Sequence, residues 1–167
     1  MSNFPKRPED FLPPEEVAKF ATDRNAAATF IMGKCIPFNE LLGIEILEVS
    51  AERALVKLPY SERLVGDPFR PALHGGALAM LADTAGGTAA IAATQHNDKI
   101  STLDMRIDYL RGARLEDTFA EALIVRAGRR AVVVRIHLYQ DDPSEPDSRR
   151  HIADSTAVYS VYRGDPS

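Results

Sequence analysis

The sequence predicts an α+β fold in which one long, buried helix lies on an antiparallel sheet. Three observations carry this prediction. Between Leu73 and Ala92 the only formal charge is Asp83, and Leu78, Leu81, Ala82, Ala85 and Ala89 recur at helical spacing. Two short alternating segments come before that stretch. Four longer strand-like segments come after it.

The elements read in order as follows. Residues up to Pro13 form a loose arm. Pro14 followed by Glu15 and Glu16 is a helix start, and Val17, Phe20, Ala21, Ala28 and Ile31 carry that helix to about Met32, with Gly33 ending it. Pro37 to Gly43 is one helical turn closed by glycine. Ile44–Val49 and Ala54–Leu58 are antiparallel strands, and Tyr60–Ala72, with Gly66, Pro68 and Pro71, is loop. The central helix runs to about Thr94. Strands follow at Ser101–Tyr109, Thr118–Val125, Ala131–Tyr139 and Ile152–Tyr162, with a tight turn at Gly128-Arg129-Arg130 and a polar loop over 140–149. In the first of these, Ser101, Leu103, Met105, Ile107 and Tyr109 share the apolar face, so Ser101 is expected to cover the helix. The chain divides into an N-terminal arm and helix (1–36), one sheet-and-helix domain (37–163) and a tail (164–167).

Composition narrows the function. At 167 residues, 45% hydrophobic and 26% charged, the chain suits an ordinary globular domain with a proper core. A formal charge of −4 gives no reason to expect nucleic acid, and a phosphate ligand would need a local basic patch. The single Cys35 excludes an intramolecular disulfide and a cysteine-rich zinc site, which fits the cytoplasm. Met1–Pro14 lacks an apolar core segment, so no signal peptide is expected, and Ala72–Ala93 suits a buried helix better than a membrane span.

Asp83 lies off the apolar stripe of the central helix, flanked on its own side by Ala79, Met80, Gly86 and Gly87. Each helical glycine costs roughly 1 kcal/mol relative to alanine, so something should approach the backbone there. A helix starting at Gly75 would offer unpaired amides at its positive end, suited to a carbonyl oxygen that gains charge. Gly75 and Asp83 are separated by about 12 Å along such a helix, too far to act on one bond. A second copy running antiparallel would bring the amide of one chain to the acid of the other, giving two sites per dimer.

His74-Gly75-Gly76, the spaced Asp83, the long helix and the later strands resemble the hotdog-fold acyl-CoA thioesterases of the phenylacetate-degradation (PaaI-like) type, over about Phe38 to Arg163. The resemblance implies hydrolysis of a CoA thioester to free acid and CoA, with no metal or redox cofactor. It implies that Asp83 activates water or attacks the thioester itself, that the Gly75 amide holds the oxyanion, and that His74 positions the loop or contacts the carbonyl. Ser101 matches the position that assists the carboxylate, with Gly76 and Thr84 as neighbours of the substrate. Arg111, Arg114, Arg129 and Arg130 are candidates for the CoA phosphates, since the guanidinium fork suits phosphate. Many relatives carry an Asn about six residues before the His; here position 68 is Pro and the nearest polar side chain is Asp67, which cannot donate a hydrogen bond when ionised. Tyr60, Leu64, Val65 and Phe69 suit an acyl pocket or loop packing equally, and Met80 faces the Asp83 side. His137 has no metal-ligand spacing among its sequence neighbours. Homo-oligomerisation as a dimer or a dimer of dimers is expected. The alternatives are a hydroxyacyl-thioester dehydratase or hydratase, in whose relatives a histidine is the base, and a non-catalytic acyl-CoA-binding module.

Overall fold

Pro14 opens α1 (Pro14–Lys19), as its fixed φ favours, but the helix does not continue to Met32. In the computed structural model, which describes residues 8–141 and 148–163, the helix ends at Lys19, turns over residues 20–22 and restarts as α2 (Arg24–Phe30). Asp23 enforces the restart by accepting the Ala26 amide at 2.9 Å, a side-chain cap that competes with helix continuation. A π-type turn over Ile31–Cys35 then passes through Gly33, the expected stop, into α3 (Pro37–Leu41). Gly43, at φ 68°, closes α3 as expected.

The sheet contains β1 (Glu45–Val49), β2 (Arg53–Leu58), β5 (Lys99–Tyr109), β6 (Thr118–Ala127), β7 (Ala131–Asp141) and β8 (Arg149–Tyr162), in the order β1-β2-β6-β7-β8-β5 with antiparallel neighbours throughout. The expected loop over 60–72 contains a short pair, β3 (Val65–Asp67) with β4 (Ala72–Leu73), that leads into the central helix. The arm at residues 1–7, the middle of the polar loop at 142–147 and the tail at 164–167 lie outside the described residues.

The central helix, α4 (Gly75–Ala92), lies across the inner face of the sheet. The predicted stripe of Leu78, Leu81, Ala82, Ala85 and Ala89 is buried against Val56, Ala122, Val134, Ile136 and Ala157. Alanine dominates the helix side, so the backbone settles close to the branched residues of the strands. Arg24 of α2 crosses to the far end of α4, where its guanidinium donates to the carbonyls of Ile91 at 3.2 Å and Thr94 at 3.1 Å. Both carbonyls lie at the negative end of the helix, and the Ile91 carbonyl also accepts the Thr94 amide at 3.2 Å. No helix among the described residues is long and apolar enough to cross a membrane.

Candidate active site

The start of α4 is built by its own sequence. His74, the N-cap, accepts the Gly76 amide on Nδ1 at 2.9 Å, so a neutral ring carries its proton on Nε2. A Cβ at Gly76 would lie 2.9 Å from that nitrogen, which is why the cap needs glycine there. Gly75 sits against Tyr109 of β5, whose hydroxyl donates to the Gly75 carbonyl at 2.8 Å. Among the described residues no acceptor takes the Gly75 N–H. Sequence reading missed Tyr109, because nothing in β5 indicates that its last residue meets a helix tip 34 positions earlier.

Two helical turns on, Asp83 is held by hydroxyls from two adjacent strands. Thr102 of β5 donates to Oδ1 at 2.8 Å. Tyr159 of β8, the direct cross-strand partner of Thr102, shares its proton between the Asp83 main-chain oxygen at 3.0 Å and Oδ1 at 3.3 Å. Burial, together with the neighbouring Asp83 charge, pushes the Tyr159 phenol far above its ordinary pKa, so it remains a donor. No donor among the described residues reaches Asp83 Oδ2. Tyr159 also answers the question of the glycines: a Cβ on Gly86 would lie 2.2 Å from its hydroxyl.

Ser101 lines the cavity beside Asp83, but the strand hydroxyl that meets the carboxylate is that of Thr102. A bulge between Thr102 and Asp104 inserts Leu103 into β5, so Thr102 faces the helix together with Met105 and Ile107. Leu103 is 65% exposed, and Ser101 contributes its carbonyl to the Ser160 hydroxyl. Period-two counting through the bulge reversed the faces N-terminal to it.

Asp83 opens onto a cavity of about 490 Å³. Its apolar wall comes largely from the N-terminal segment, Ile31, Met32, Ile36 and Phe38, facing Met80 and Ile91 of α4 and Ile100 of β5. Tyr60, Leu64, Val65 and Phe69 are not among its lining residues. Thr84 lines the cavity but is buried and bonded to Asn39 Oδ1 at 3.3 Å, and Asn39 donates to the Met32 carbonyl at 2.8 Å. This chain of bonds ties α4 to the N-terminal wall.

Asp67 closes its own loop. It accepts the amides of Phe69 and Arg70 at 3.0 and 3.1 Å and pairs with the Arg70 guanidinium at 2.9 Å. Those bonds, the Arg70 amide first, hold its carboxyl below the usual range. Asp67 therefore acts as a turn-stabilising acceptor.

Arg129 and Arg130 line an exposed basic groove of about 670 Å³ with Arg126 and Arg163, although Arg163 is already bound to Asp98. This groove is at the end of the sheet where Lys99 pairs with Tyr162. Arg111 is at the opposite end, its amide on the Ile152 carbonyl. Nine residues of β8 separate the two positions, roughly 30 Å. Within one chain they cannot contact the same phosphates. The half-buried Cys35 thiol is pushed up by burial and by Glu9 and Asp10, and it offers no thiolate at neutral pH.

The chain is 30% identical over 139 residues to the medium/long-chain acyl-CoA thioesterase YigI of Escherichia coli K12, covering 75% of this chain and 86% of that relative. This chain belongs to the thioesterase superfamily. The superfamily's family model matches residues 71–146, from the loop before His74 through β7. A thioesterase family protein from Silicibacter pomeroyi shares the fold, with a TM-score of 0.76 at 24% identity over 84% of this chain and 99% of that one. A thioesterase from Haemophilus influenzae superposes with a TM-score of 0.66 at 25% identity over 75% of this chain and 82% of that one. The architecture, a six-stranded antiparallel sheet around α4, is therefore the hotdog fold of a thioesterase-superfamily thioester hydrolase.

Proposed function

We propose that this thioesterase hydrolyses acyl-CoA to free acid and CoA, without a redox cofactor, at a site shared between two copies of the chain. Asp83 of one copy drives water onto the thioester carbon, and the Gly75 amide of the other donates its hydrogen bond to the oxyanion. The observation that carries this reading is the Asp83 carboxylate: one oxygen is fixed by Thr102 and Tyr159, the other is open, and an apolar cavity lies beside it. A carboxylate held in this way has a defined direction in which to take a proton. The Gly75 amide lies about 12 Å along the same helix, so one chain cannot use both on one bond.

A dimer is supported by β5. It is an edge strand of eleven residues whose outer side pairs with no described strand, and Leu103 and Tyr109 on it are exposed. The basic groove at Arg129 and Arg130 supports binding of CoA phosphates. The E. coli relative named for acyl-CoA substrates supports the choice of thioester.

The test is thiol release from a panel of acyl-CoAs. Asp83→Asn should lower kcat by at least about 100-fold, the usual scale for removing a general base. An Asp83→Asn protein as active as the parent would end this assignment. Loss of the enoyl double bond without thiol release would instead favour hydration.

A further inference from the structure

A second polar cluster lies on the opposite face of the sheet from Asp83. Glu121, His137, Asp154 and Asp108 form one row across β6, β7, β8 and β5, each the register partner of the next. The residues on either side of the row in β7 and β8, namely Ile136, Leu138, Ala153 and Ser155, are buried on the helix side. In a regular strand His151 would face the helix too, being three residues from Asp154. A bulge at Ile152, between the pairs Leu138–Ala153 and Tyr139–His151, turns it outward. His137 Nδ1 then lies 2.6 Å from Asp154 Oδ1, and His151 Nε2 lies 2.9 Å from the same oxygen. All three potential ligand atoms are within 4.8 Å of one another, and each side chain is partly open to solvent.

We propose that His137, His151 and Asp154 bind one divalent transition-metal ion of the zinc type, with water completing its coordination. Two imidazole nitrogens and one carboxylate oxygen are the donor set of zinc and its neighbours, whereas magnesium and calcium take oxygen ligands. The ion replaces the two N–H hydrogens that now point at Asp154. Each neutral imidazole then carries its proton on the far nitrogen, and the three donors spread by a few tenths of an ångström around metal bonds near 2 Å, a distance of about the usual length for such ligands. Glu121 beside His137 is engaged by Arg149 and Arg53, and Asp108 beside Asp154 by Arg106, so neither supplies a ligand and the site rests on the two imidazoles and Asp154. The ion joins β8 to β7 across the bulge.

The test uses the full chain, stripped with a chelator and titrated with Zn²⁺ by calorimetry and with Co²⁺ by visible absorbance near neutral pH. One ion per chain with micromolar or tighter affinity is expected, and Zn²⁺ should raise Tm. His151→Ala and His137→Asn should each weaken binding at least about tenfold and abolish the Tm shift, and Asp154→Asn, which keeps the side-chain shape, should do the same. His96→Ala, at an exposed turn beyond α4, should bind as the parent does. Absence of binding by the parent, or binding unchanged in the His151, His137 and Asp154 variants, overturns the assignment.

Discussion

Thr102 donates to Asp83 Oδ1 across 2.8 Å, from the strand position next to the serine that alternation had favoured. Thr102→Val should therefore lower kcat about tenfold with little change in KM, because the lost bond orients the carboxylate rather than the substrate. Ser101→Ala should stay within about twofold of the parent, since the Ser101 hydroxyl makes no contact with Asp83. Steady-state thiol release on both variants checks the pair; the reverse order would return the role to Ser101.

Gly86 is required by Tyr159. Alanine would gain about 1 kcal/mol of helix propensity, but its Cβ would collide with the Tyr159 hydroxyl at 2.2 Å. Gly86→Ala should destabilise the protein by about 1–3 kcal/mol, the usual scale of overpacking. Adding Tyr159→Phe should recover part of that loss by removing the colliding atom. Urea unfolding of the two single variants and the double variant measures the coupling.

Arg24→Ala should cost about 1–3 kcal/mol, since it removes two charge-assisted bonds to the Ile91 and Thr94 carbonyls at the end of α4. Burial lowers the Arg24 pKa, opposed by Asp98, but the group remains fully charged at neutral pH. Arg24→Lys should recover only part of the loss, because an ammonium lacks the planar fork that reaches both carbonyls. The unfolding midpoints of the two variants report this directly.

Asp117 should make stability fall in acid. The Tyr60 amide, at 2.8 Å, and Lys57, at 3.0 Å, hold its carboxyl below the ordinary value against a smaller opposing effect of burial. A depressed carboxyl contributes stability above its unfolded pKa, near about 4, and that contribution is lost as pH falls through the lower folded value. Asp117→Asn should be less stable than the parent at neutral pH, and the gap should narrow as pH falls below the unfolded carboxyl value of about 4. Unfolding curves across that range check both the sign and the window.

Much of this molecule can be read from its residues because the relevant signals are local. The stripe from Leu78 to Ala89 needs only helical periodicity, and the turn at Gly43 needs only a residue that tolerates positive φ. Asp83 stands out as an acid among small apolar neighbours, which is itself a statement about cost. The N-terminal helix reads as continuous because its apolar spacing survives the break, while the interruption depends on one capping bond from Asp23. Tyr60, Leu64, Val65 and Phe69 suit an acyl pocket and loop packing equally by sequence. The cavity beside Asp83 is lined instead by Ile31, Met32, Ile36 and Phe38, which are distant in sequence from Asp83.

By itself the sequence determined the α+β layering, the central helix and the acid at its middle, since periodicity and charge are properties of neighbouring residues. Only the tertiary structure decided which hydroxyl meets Asp83, what Gly86 makes room for, and that His137 and His151 converge on Asp154. Two of those three depend on bulges, at Leu103 and at Ile152. One extra residue in a strand reverses every side chain beyond it, and whether a strand contains one is settled by its hydrogen-bonding partner rather than by its own residues.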